Sequence, residues 1–130
     1  MPMIENQDIT ILYVDDEDIN LFLFNANFKK KFNIITAKSG KEALEKLDIH
    51  SDSIIVVISD MRMPLMSGIE FIQKAKAKYN NIHYYILTGF DYNEEVEAAL
   101  KNKTIHKFFT KPFNVSEIEE TVLDVAKNTK

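Results

Sequence analysis

Four short apolar runs in this chain each stop on a polar residue that packing alone does not require. Residues 9–14 run into Asp15 and Asp16, 54–59 into Asp60, 82–87 into Thr88, and 108–110 into Lys111. Between them lie stretches with helical spacing, such as Ile69, Ile72, Ala75 and Tyr79, or Val115, Ile118, Val122 and Val125. Strands alternating with helices and joined by short connections imply an α/β fold, with right-handed crossovers building a parallel sheet. The expected strands are 9–14, 33–37, 54–59, 82–88 and 105–110, and the expected helices are 17–31, 40–48, 68–79, 92–101 and 115–127. Helix starts agree with this, because Ser39, Ser67, Asp91 and Asn114 each stand three residues before a Glu, the spacing of a capping box.

If the strands are parallel, Asp15, Asp16, Asp60, Thr88 and Lys111 converge on one sheet edge. The crevice beyond the carboxyl ends of such strands is where open α/β sheets bind ligands. Two carboxylates brought close repel by about 1–4 kcal/mol between water and protein-surface dielectrics, so a hard cation is the natural counterpart. Mg²⁺ suits a few carboxylates because it keeps several waters and completes its octahedron with phosphate oxygens. A carboxylate beside such an ion can also act as a nucleophile toward phosphorus, giving an acyl phosphate. Thr88, followed by Gly89, offers a hydroxyl donor to a phosphoryl oxygen, and Lys111, followed by Pro112, offers a point charge on extended backbone.

A chain of 130 residues fits one domain over 1–130, with its core at about 9–127 and no effector domain. The net charge of -4 argues against nucleic-acid or membrane-surface partners, both of which favour basic patches. The one basic run, Lys29 to Lys31, is expected to close a helix whose C-terminal dipole favours cations. With no cysteine, thiol catalysis and thiolate metal sites are excluded. No apolar run is long enough for a bilayer, so a cytoplasmic location is expected. Residues 16–20 match the start of a calcium loop, but Leu21 stands where the turn needs glycine and Asn27 where it needs a bidentate Glu. The three histidines are widely spaced and suggest no metal or catalytic role.

Asp15-Asp16, Asp60-Met61-Arg62-Met63-Pro64 with Gly68, Thr88-Gly89 and Lys111-Pro112-Phe113 together resemble the response-regulator receiver domain of two-component signalling. The resemblance runs from about Ile9 to about Val125 with every hallmark in order. It implies a flavodoxin-like, doubly wound (βα)5 sheet of order 2-1-3-4-5. Asp60 would accept a phosphoryl group from a sensor histidine kinase or a histidine phosphotransfer protein. Asp16, Asp60 and the backbone carbonyl of Arg62 would bind Mg²⁺ directly, with Asp15 acting through water, and Thr88 and Lys111 would hold phosphoryl oxygens. The Lys111-Pro112 bond would be cis. Phosphorylation would draw the Thr88 loop inward and turn Phe108 in, changing the face of helix 4, strand 5 and helix 5 that meets a downstream protein. Arg62 and Phe90 would tune the acyl-phosphate lifetime.

The resemblance therefore predicts a stand-alone receiver that catalyses only its own phosphorylation and dephosphorylation. One alternative is an interaction module with the fold but no phosphorylation. The other is an aspartate-nucleophile phosphatase of the haloacid-dehalogenase type, for which Asp16-x-Asp18 is a faint match.

Overall fold

The computed structural model describes residues 8–89 and 94–128. Strands β1 (Thr10–Val14), β2 (Asn33–Ala37), β3 (Ile54–Asp60), β4 (His83–Thr88) and β5 (Lys107–Thr110) alternate with helices α1 (Asp18–Phe28), α2 (Gly40–His50), α3 (Gly68–Lys78), α4 (Glu94–Lys101) and α5 (Val115–Asn128). The strands form one sheet of order β2-β1-β3-β4-β5, paired in parallel throughout. This is the expected flavodoxin-like topology. Central strands are apolar almost end to end because helices cover both of their faces.

Side-chain alternation divides the core into two layers. Leu12, Val14, Val57, Tyr84 and Ile86 face the side of α2, α3 and α4, whereas Ile11, Tyr13, Val56, Ile58, Tyr85, Leu87 and Phe109 face α1 and α5. A register shift between Thr10 and Ile11 against β3 inserts one extra residue, which is why Ile54 and Val57 share a face despite their odd spacing.

Capping fixes where the helices start. Ser67 and Glu70 form a reciprocal capping box at α3, and the Asn114 side chain accepts from the Glu117 N–H at 3.0 Å. At α2, Ser39 accepts from the Glu42 N–H, while the Glu42 carboxylate accepts from the Lys38 N–H instead of the capping residue's own. Asp91, the fourth expected cap, and Phe90 lie outside the described residues.

Several expected boundaries move by one to three residues, and two of the shifts have a visible cause. Helix α1 ends at Phe28 rather than at 31, because the chain must turn for Asn33 to donate to the Ile9 carbonyl at 2.8 Å. Lys29 to Lys31 therefore follow the last turn, and Lys31 instead pairs with Glu119 at 2.7 Å. Strand β5 begins at Lys107 rather than at 105, because the Thr104 and Ile105 N–H groups turn back to the Ala99 carbonyl and close α4. No described helix is long and apolar enough to cross a membrane.

Candidate functional site

The sheet topology brings the ends of β1, β3, β4 and β5 together, and the carboxylates gather there. One oxygen from each of Asp15, Asp16 and Asp60 lies within 4.8 Å of the others. Asp60 ends β3 beside Leu87 of β4, so Thr88 stands one residue further along the neighbouring strand. Thr88 is buried and pairs with Thr110 of β5. Its carbonyl accepts from the Lys111 N–H at 2.8 Å, which ties the β5 exit to the β4 end. The Lys111-Pro112 peptide is cis.

Asp15 is fully buried and its carboxylate is saturated with donors. One oxygen accepts from the Glu17 N–H at 3.0 Å and the Asn20 amide at 3.3 Å. The other accepts from the Tyr13 hydroxyl at 2.7 Å and the Lys111 ammonium at 3.3 Å. Such satisfaction offsets the cost of burying a polar group away from water. Sequence reasoning missed Tyr13 and Asn20, although a signal existed for each. Tyr13 sits two residues before Asp15, hence on the same face of the strand, and Asn20 lies in the first turn of the following helix.

The Lys111 ammonium also reaches Asp60 at 3.2 Å, so one cation bridges two carboxylates from different strands. The Asp60 side chain is only 10% exposed. Its carboxyl is pushed above the usual range, first by burial and then by the charge of Asp15, with Lys111 pulling in the opposite direction. For Lys111, burial works against the charge, yet Asp60 and Asp15 outweigh it and hold the ammonium more firmly protonated. The Tyr13 phenol, buried and donating to Asp15, is raised far above its ordinary value.

The backbone approaches closely at Gly68. A Cβ there would sit 2.2 Å from the Asp60 carbonyl oxygen, so only glycine lets α3 start against the end of β3. The loop between them is closed by the Gly68 N–H donating to the Met61 carbonyl at 2.8 Å. Met61 is buried, and Met63 and Met66 are partly buried against the same layer. The exposed Arg62 helps line a 410 Å³ depression with Met61, Met63, Pro64, Ser67 and Glu95.

Phe109 packs into the α1–α5 layer, while Phe108 points to the other side and is half-buried against the α2–α4 layer. Asp18, which the phosphatase motif would need at the site, is 79% exposed and paired with Lys38 at 2.9 Å. Asp16 and Asp18 therefore do not act on one centre. His83 and His106, far apart in sequence, stack at 4.4 Å near the start of β4 and β5, at the opposite edge of the sheet.

A parallel sheet of order 2-1-3-4-5 carrying an acidic cluster and a lysine at its carboxyl edge places the chain among the doubly wound α/β proteins, with a cluster there compatible with a cation. The response regulator receiver domain family matches residues 11–123, and the chain belongs to that family. Sporulation initiation phosphotransferase F of Bacillus subtilis is 30% identical over 115 residues, spanning 86% of this chain and 89% of that protein. A cyclic di-GMP phosphodiesterase of Thermotoga maritima is 30% identical over 121 residues, 92% of this chain but 32% of that protein. The chain spans about a quarter to a third of the length of the first curated relatives that it matches. Among solved structures, a response regulator receiver domain protein from Clostridium thermocellum superposes with a TM-score of 0.86 at 25% identity, covering 93% of this chain and 96% of that one. The chemotaxis protein CheY4 of Vibrio cholerae gives 0.78 at 27% identity, with 90% and 98% coverage. Membership makes this a signalling phosphoacceptor domain of two-component phosphorelays, with an acidic pocket compatible with Mg²⁺.

Proposed function

We propose that the chain works as a receiver that takes a phosphoryl group on Asp60 from a sensor histidine kinase or histidine phosphotransfer protein and thereby switches its binding to a downstream protein. The observation that carries this is the single Lys111 ammonium bridging Asp15 and Asp60 across two strands. A lysine placed there neutralises charge where a dianionic phosphoryl group must arrive.

Three carboxylates with no sulfur or imidazole among them form a hard-oxygen donor set that fits Mg²⁺. Asp16, Asp60 and the Arg62 carbonyl would hold the ion directly, and Asp15 would reach it through water once the Lys111 ammonium, 3.3 Å from one of its oxygens, turns to the phosphoryl group. When bound, the ion screens the carboxylates and draws charge from the phosphoryl oxygens. An Asp60 carboxylate oxygen forms the new bond to phosphorus, the phosphorus–nitrogen bond of phosphohistidine breaks, and the imidazole nitrogen takes a proton from solvent. Lys111 and the Thr88 hydroxyl hold the phosphoryl oxygens through this transfer. Thr88 then shifts toward the acyl phosphate and Phe108, half-buried on the neighbouring strand β5 two residues before the register partner of Thr88, follows, altering the face of α4, β5 and α5. Neither nucleic acid nor membrane is a partner, and the protein acts in the cytoplasm on no substrate but its own Asp60.

The test is intact mass after incubation with acetyl phosphate and Mg²⁺. One added phosphoryl group, labile to hydroxylamine and absent from Asp60→Asn, is the expected result. No adduct when sampled within seconds would refute the proposal in favour of a phosphorylation-independent binding module.

A further inference from the structure

The loop leaving the phosphoacceptor strand carries the most exposed large apolar side chain among the described residues, Leu65, at 107% of its reference exposure. The backbone there has φ 71°, and the Met66 N–H donates across it to the Pro64 carbonyl at 2.7 Å. That combination is the γ-turn of positive φ, the rare and strained form. Asn or Asp can offset such a conformation with a local side-chain hydrogen bond and glycine avoids it altogether, but leucine does neither. The surroundings hold the turn in place. The loop ends are pinned by the Met61–Gly68 hydrogen bond at 2.8 Å, Gly68 is wedged under the Asp60 carbonyl, and Met66 packs against Gly40. A side chain that gains nothing from burial therefore sits where it also strains the backbone, and strain kept in this way accumulates at functional positions.

We propose that Leu65 is a rigid apolar contact for the phosphohistidine-bearing protein, entering an apolar recess beside that histidine and so selecting which protein donor is accepted. This rests on the assignment of Asp60 as phosphoacceptor. A histidine side chain is short, so a protein donor must settle on the rim of the pocket around Asp60. Loop 61–67 forms one part of that rim, and the start of α1, just after Asp16, forms another. Exposed apolar groups stand there as well, with Ile19 at 60% and Phe22 at 66% exposure. Three side chains fall well short of the roughly 1,200 Å² that a stable interface buries. A transient partner fits this rim, and a permanent second copy does not.

The test compares Leu65→Asn, Leu65→Gly and Leu65→Met with the wild type, using two kinds of phosphoryl donor. Acetyl phosphate needs no rim contact. The protein donor is whichever of a panel of autophosphorylated histidine-kinase cores transfers fastest to the wild type. Leu65→Asn and Leu65→Gly should melt higher, because both residues accept positive φ, and should keep the acetyl-phosphate rate within twofold. Transfer from the kinase core should fall at least tenfold in both, and Leu65→Met should retain it within threefold. An unchanged kinase rate overturns the proposal, as does an equal loss with both donors, which would assign Leu65 to loop geometry. Failure of every kinase core while acetyl phosphate still labels Asp60 also overturns it. Failure of acetyl phosphate to label Asp60 would instead strike the assignment on which the proposal rests.

Discussion

Replacing Asp60 with Asn removes one charge and almost no volume, which isolates the electrostatics of the site. At an effective dielectric of about 20, carboxylate oxygens no more than 4.8 Å apart repel by about 3.5 kcal/mol, so Asp15 and Asp16 together act on Asp60 with about 7 kcal/mol. The Lys111 ammonium at 3.2 Å returns about 5 kcal/mol on the same scale. The balance favours the neutral variant by about 2 kcal/mol, and burial of the Asp60 carboxylate acts in the same direction. Lys111 keeps Asp15 as a partner at 3.3 Å, so the substitution strands no cation. For a chain of this size the gain corresponds to a rise of roughly 6–10 °C in melting midpoint, read by circular dichroism at neutral pH in EDTA. The pH dependence has a definite sign. Because the folded state raises the Asp60 pKa above its ordinary 3.8, its share of stability is complete below that value and is lost as pH rises through the raised one. The gap between variant and wild type should therefore vanish at the acid end and open toward neutrality. Saturating Mg²⁺ should stabilise the wild type by about 2.7 kcal/mol at a hundredfold excess over Kd and close the gap. A variant that melts at or below the wild type in EDTA would refute this account of the site.

Lys111→Met leaves Asp15 and Asp60 facing each other without their shared cation and should cost roughly 3 kcal/mol in a metal-free urea titration, with much of that loss recovered on adding Mg²⁺. Gly68→Ala sets a Cβ 2.2 Å from the Asp60 carbonyl oxygen and should destabilise by about 1–3 kcal/mol; a melting point within a degree of wild type would show that α3 shifts freely. Alkaline titration followed by tyrosinate absorbance should show delayed ionisation, since burial and the nearby Asp124 charge push the Tyr85 phenol up to about 12. With folded pKa values raised, the tyrosine contribution to stability is complete below about pH 10 and is lost as pH climbs toward 12, so unfolding should accompany the rise in absorbance.

The alternation of apolar runs with helically spaced segments was enough to give the element order, the parallel sheet and the residues at its carboxyl edge. Those signals are local. A strand buried on both faces must be apolar for its whole length, and a helix start must satisfy its free N–H groups, so both features are written into consecutive residues. Boundaries set by tertiary bonds were not legible in the same way. The α1 terminus depends on Asn33 meeting Ile9, and the start of β5 depends on Thr104 and Ile105 turning back to Ala99. The facing of Phe108 and Phe109 followed from alternation in kind, but which of the two enters which layer required the position of β5 at the sheet edge.

The sequence by itself determined which groups stand at the strand ends, because each follows directly on an apolar run. Only the tertiary structure decided what those groups do to one another. Lys111 meets partners 96 and 51 residues away, Asp15 is saturated by donors from both sides of its turn, and the Asp60 carboxyl is raised by burial and by a charge from a neighbouring strand. The conformation of Leu65 likewise depends on a loop pinned at both ends by α3 packing under β3. Periodicity acts over a few residues, whereas charge, burial and strain depend on everything within several ångströms in space, and chain folding brings those neighbours from far along the sequence.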